Sequence, residues 1–135
     1  MLWFNGDVVF DAAILDRVRP MMDEDQSFVC VNTAVVGDEE VKYTTDDEGF
    51  VRELSKTVAG GAGEAVGINF VSSGDKDVLI QQLEKCDDGD YFERGIETAI
   101  AEHRLRVRPV DISDLFAVEV DFEADLVRAN SRRQP

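Results

Sequence analysis

Five side chains have the type and the placement to do chemistry. Leu2 to Asn5 is a short apolar run that reads as a buried strand, and it stops at Gly6-Asp7. A carboxylate just past the C-terminal end of such a strand stands where open α/β sheets bind ligands. The other reading of Asp7 is a turn or helix-start aspartate. Glu119-Val120-Asp121 puts two carboxylates on one side of a strand, where they repel unless a cation relieves them. An all-oxygen set of this kind suits magnesium, which takes one or two carboxylates and leaves the rest to water and phosphate oxygens. The alternative is a solvated edge strand. Lys56, just after a hairpin, could hold a substrate phosphate as a point charge, or be a surface lysine. Glu64 lies between a glycine-rich stretch and a strand, as a ligand-facing carboxylate or an ordinary strand start.

Other candidates read as structural. His103 is the only histidine and shares an apolar stripe with Phe92, Ile96 and Ile100, as a packed or capping residue near a helix end. Cys30 and Cys86 have no metal-like spacing and read as buried free thiols. Gly60, Gly61, Gly63 and Gly67 do not form the GxxxxGK[ST] pattern of a phosphate loop.

The elements that must position these residues alternate between strand and helix. Asp11 is placed to cap a helix from Ala12 to about Met22, which Pro20 is expected to kink or shorten. Strands are expected over 27–33 and 64–71, and a hairpin over 41–54 turning at Asp46-Asp47-Glu48-Gly49. Ser72 and Asp75 form a capping box for a helix carrying Leu79, Leu83 and Cys86, and a second helix carries Phe92, Ile96, Ala99 and Ile100. Alternation at Leu105, Val107 and Pro109 predicts a strand, Phe116 to Val120 another, and Phe122 to Arg128 a terminal helix. The class is α/β: a mixed sheet flanked by helices with an inserted β-hairpin, in a single domain over 1–135.

Composition excludes several functions. With 29 acidic against 14 basic residues the formal charge is −15, which opposes nucleic-acid and anionic-membrane partners. No apolar run approaches the roughly 20 residues that span a bilayer. The first residues lack a signal-peptide pattern, and with the free thiols this points to the cytoplasm.

The order of motifs resembles the C-terminal portion of the sugar-nucleotide-type nucleotidyltransferases, with a partial Rossmann-like fold. The similarity is greatest to the branch of phosphocholine and related phosphonate cytidylyltransferases. The matching segments are NGDVVFD at 5–11, VKYTTDDEGFVRELSK at 41–56, GEAVGINFVSS at 63–73, YFERGIETAI at 91–100 and VEVDFEADLVRA at 118–129. The resemblance implies that Asp7 and Asp121 bind Mg2+, with Glu119 a third ligand. It implies that Lys56 contacts the acceptor phosphate, that Glu64 binds acceptor, and that Glu93 is the glutamate of the helix motif, also a substrate-binding position. The substrates implied are a nucleoside triphosphate, CTP in this branch, and a small phosphorylated or phosphonate acceptor. The family often has tryptophan shortly before Glu-x-Asp, where this chain has Phe116-Ala117.

The family's N-terminal glycine-rich loop, which bears Arg and Lys and holds the triphosphate, has no counterpart before Asp7. The chain is therefore expected to be inactive by itself and to assemble through its apolar segment Leu2 to Phe4, most simply as a homodimer.

Overall fold

The computed structural model describes residues 1–5, 8–34, 41–58, 61–86 and 92–119. Its elements are β1 (Leu2–Phe4), β2 (Val8–Phe10), α1 (Ala13–Asp23), β3 (Phe28–Asn32), β4 (Lys42–Thr45), β5 (Val51–Ser55), β6 (Gly63–Phe70), α2 (Lys76–Lys85), α3 (Phe92–His103), β7 (Arg108–Asp111) and β8 (Ala117–Glu119). The main sheet is mixed, in the order β5-β4-β6-β3-β7, with only the β3–β7 pair parallel. β2 and β8 form a separate antiparallel ribbon.

β6 is the axis of the sheet because it is long and apolar. One of its edges pairs with β3, with a register shift between Val29 and Val31. The other is shared: β4 takes its first residues (Lys42↔Glu64) and β1 its last (Phe4↔Ile68). The N–H and C=O of Met1 and the N–H of Asn5 bond to Val71 and Gly67. By antiparallel alternation, the Leu2 and Phe4 backbone groups therefore turn outward, and β1 has no second neighbour among the described strands. Leu2, Trp3 and Phe4 are all exposed.

Two apolar layers cover the sheet. Val29, Val31, Ala65 and Val71 face α2 and α3 through Leu79 and Ile96, with Leu54 of the hairpin. Phe28, Cys30, Val66 and Ile68 face α1 through Ile14 and Val18. Alternate residues of β3 thus serve opposite layers, as a strand buried on both faces requires. Gly95 lets α3 approach α2 closely, since a Cβ there would strike Leu83.

Most expected elements form, and three details differ. α1 continues through Pro20 to Asp23; the Glu24 N–H still bonds to the Pro20 carbonyl. The strand expected from Leu105 lies at Arg108–Asp111, because pairing with β3 (Phe28↔Arg108) sets its start rather than local alternation. Val8–Phe10 forms a strand that no local pattern announced. The capping of α2 uses a third residue: the Ser72 hydroxyl accepts from Asp75 N–H, while the Asp75 carboxylate accepts from Ser27, whose oxygen accepts from Ser72 N–H. The expected helix from Phe122 lies outside the described residues.

Candidate functional site

The shared β6 edge is broken between β1 and β4, and Glu64 lies on β6 at this break. β1 and β4 lie end to end along that edge, both antiparallel to β6. β1 ends opposite Gly67, and Val41, just before β4, already bonds to Ala65. The chain must therefore leave the sheet at Asn5, immediately before Gly6-Asp7. Glu64 lies three residues from Gly67 along β6, a span of about 10 Å at strand rise.

On the β4 side, the Lys42 ammonium is nearly buried and donates to the Lys56 carbonyl at 2.8 Å. Lys42 is also the register partner of Glu64. Lys42 thus links the two acceptor-site candidates, Lys56 with its exposed side chain and Glu64, which is half-buried. The burial of Lys42 depends on pairing across the sheet.

On the β1 side, Asn5 bonds to Gly67 through its backbone N–H at 2.9 Å, and the Val8 N–H bonds to the Asn5 carbonyl at 3.2 Å. Gly67 has φ +83°, and a Cβ there would lie 2.8 Å from Asn5 Nδ2 and 2.9 Å from Val8 Cγ2. Only glycine meets both constraints. Glu93, in the first turn of α3, is 3% exposed and accepts from Asn5 Nδ2 at 3.3 Å. Asp7 and Asp121 lie outside the described residues. Their described neighbours Val8 and Glu119 are register partners in the β2–β8 ribbon. Among the described residues, no three His, Cys, Asp or Glu side chains gather to hold a metal.

The remaining ionisable groups have structural roles. Asp114 pairs with Arg17, Oδ2 accepting from Nη2 at 2.7 Å, and this bond draws its carboxyl down to about 2. Hydrogen bonds from Ser113 hold Asp111 below the usual carboxylate range. Burial pushes the Cys30 thiol up to about 12, so it is an inert core group. His103 ends α3 with an exposed ring whose Nε2 lies 2.9 Å from the buried Gln82 amide, an inter-helix tie. Asn69 is fully buried in β6, and neither atom of its amide has a hydrogen-bond partner.

No family model and no curated protein matches the chain. Solved structures do. The inositol-1-phosphate CTP transferase from T. maritima superposes with TM-score 0.72 at 15% identity, over 97% of this chain and 54% of that one. The fold is that of the nucleotidyltransferases. A nucleoside-diphosphate-sugar pyrophosphorylase from Vibrio cholerae matches with TM-score 0.65 at 12% identity, over 96% and 56% of the two chains. A UTP-bound UGPase from Acinetobacter baumannii matches with TM-score 0.64 at 9% identity, over 98% and 50%. The chain spans about half the length of the nucleotidyltransferase structures it matches. No described helix is long and apolar enough to cross a membrane.

Proposed function

We propose that the protein is a nucleotidyltransferase, moving CMP from CTP to a small phosphorylated or phosphonate acceptor. The observation that carries this reading is the break in the β6 edge. There the chain leaves β1 toward Gly6-Asp7 beside the start of β4, with Lys42, Lys56 and Glu64 on the adjoining strands. The fold shared with the CTP transferase and the UTP-bound UGPase agrees with it.

In this reading an acceptor phosphate or phosphonate oxygen attacks the α-phosphorus of the nucleotide. The new P–O bond forms as the α–β bridging bond breaks, and pyrophosphate leaves with the bond electrons. Asp7 and Asp121 would hold magnesium together with Glu119, a donor set of oxygens whose chemistry fits this hard cation. The register pairing of Val8 with Glu119 supports their convergence. When bound, the ion supplies charge neutralisation and alignment at the phosphate oxygens. The chain's own part is to orient the acceptor: Lys56 binds its phosphate, Glu64 its remaining polar groups, and Lys42 braces both. The protein works in the cytoplasm, on nucleotide and acceptor rather than on nucleic acid or membrane.

The test is pyrophosphate release from CTP and a panel of phosphorylated acceptors by the full-length protein. Release that falls at least about 100-fold in Asp7→Asn and in Asp121→Asn is expected. Release unaffected by both substitutions would sink the assignment, as would its absence with every acceptor. The exposed aromatic edge of β1 favours a second reading, a non-catalytic assembly module of this fold, which predicts binding without turnover.

A further inference from the structure

Asn5 precedes the Gly6-Asp7 step, and each of its polar groups is engaged. Its N–H donates to Gly67, and its carbonyl accepts from Val8. Its Oδ1 accepts from Trp3 Nε1 at 3.2 Å, and its Nδ2 donates to Glu93 Oε1 at 3.3 Å. The Val8-to-Asn5 bond joins the two residues that bracket Gly6-Asp7. One end of α3 grips this junction twice, since Phe92 stacks on Trp3 with ring centroids 4.4 Å apart and planes 2° from parallel.

Glu93 is the more telling partner. Burying a carboxyl group is costly unless an internal contact uses it. Glu93 is 3% exposed, no Lys or Arg forms an ion pair with it among the described residues, and the contact that uses it is the Asn5 amide. The missing side chain at Gly67 makes the room in which that amide lies. A carboxyl group enclosed in this way is placed to orient a neighbour rather than to meet a ligand.

We infer that Glu93 is a positioning residue: through Asn5 it holds the Asn5–Val8 bracket on either side of Gly6-Asp7, and it does not touch substrate. The functional meaning rests on the nucleotidyltransferase reading, whereas the link from Glu93 to the bracket does not. Such second-layer partners commonly change metal affinity by about 10- to 100-fold.

The experiment has two readouts on the full protein, in the wild type, Glu93→Ala and Glu93→Gln. The first is amide hydrogen exchange by NMR at Val8, with Val29 and Ile68 as core references. Glu93→Ala is expected to speed Val8 exchange roughly tenfold, the worth of one hydrogen bond, with both references unchanged. Glu93→Gln, whose oxygen still accepts from Asn5, is expected to stay within about threefold of wild type. Unchanged Val8 exchange in Glu93→Ala would overturn the inference, and so would equal acceleration of all three amides. If Glu93→Ala does not fold, Asn5→Ala cuts the same link from the other end and is read in the same way.

The second readout is Mn2+ titration followed by the fluorescence of Trp3, the chain's one tryptophan, which bonds directly to Asn5. Glu93→Ala is expected to weaken Mn2+ binding about tenfold. Equal affinity in the two proteins would overturn the inference. Wild-type protein that binds no Mn2+ would instead remove the magnesium assignment, and Val8 exchange then decides the positioning role.

Discussion

Gly67→Ala should be among the most damaging single-methyl changes in this chain, and the structure separates its cost into two parts. Gly67 has φ +83°, a conformation that costs a residue with a Cβ about 1–2 kcal/mol. The added methyl would also meet Asn5 Nδ2, Val8 Cγ2 and Asn5 Cβ at 2.8, 2.9 and 3.0 Å. Asn5 is tied by four hydrogen bonds and cannot step aside freely, so an overpacking cost of about 1–3 kcal/mol applies as well. The total is about 2–5 kcal/mol, a large share of a typical stability of roughly 5–15 kcal/mol. Gly49 is the control that isolates the first part: its φ is +86°, and a Cβ there meets nothing within 4 Å. Gly49→Ala should therefore cost only about 1–2 kcal/mol. The assay is equilibrium urea unfolding of both variants, followed by circular dichroism and by Trp3 fluorescence, with the midpoints compared at constant slope. A Gly67→Ala loss no greater than that of Gly49→Ala would refute the reasoning, because the Asn5–Val8 bracket would then have to yield without cost.

Three further outcomes follow from the same structure. Asn69→Leu should raise stability by about 1–2 kcal/mol in the same urea assay, because it replaces a buried amide lacking partners with an apolar group of similar size; a loss would show that the amide is satisfied. Asp114 titrates at about 2 when folded, below its ordinary 3.8, so the stability it contributes is present above about pH 4 and disappears as pH falls through 2. Asp114→Asn should therefore flatten the acid limb between about pH 4 and 2, and an unchanged limb would deny Asp114 that role. The open β1 edge should pair two copies, so light scattering should report a dimer that Trp3→Lys weakens; a strict monomer at high concentration and high salt would count against it.

What was legible in the sequence is what local pattern determines. The apolar spacing of Phe92, Ile96, Ala99 and Ile100 gave α3 its limits, and Ile96 and Ala99 are buried as that spacing requires. Ser72 and Asp75 marked the start of α2, and Asp46 to Gly49 marked the hairpin turn. What was not legible depends on partners far along the chain. Val8–Phe10 is only three residues long, and its partner strand lies more than 100 residues later. β7 takes its register from β3, so local alternation placed it three residues early. Of the site, Lys56 and Glu64 were candidates from their neighbours in sequence, and Asp7 lies outside the described residues. The hydrogen bond from Asn5 to Glu93, 88 residues away, could not. Nor could the burial of Lys42, which reads as one more charged residue in a hairpin.

The charge of the chain and the geometry of the β6 break make sense together. A surface with a formal charge of −15 repels a triphosphate and a phosphorylated acceptor alike once they come within the roughly 8–10 Å beyond which salt screens charge. Two anionic substrates can meet on such a protein only where the local field is reversed. The proposed site would offer two ways of reversing it: lysines at positions 42 and 56, with the Lys42 ammonium held by the Lys56 carbonyl, and the carboxylate of Asp7, suited to a divalent cation. The cation must be held at a defined point, since about 1 Å of misplacement between reacting groups costs roughly 100-fold in rate. The end of a three-residue edge strand is poorly suited to that precision by itself. The bonds that converge on Asn5, from Gly67, Val8, Trp3 and Glu93, tie the end of β1 to β6 and α3. Glycine at 67 and a buried glutamate at 93 are thus two halves of one device, the first making room for the Asn5 amide and the second holding it.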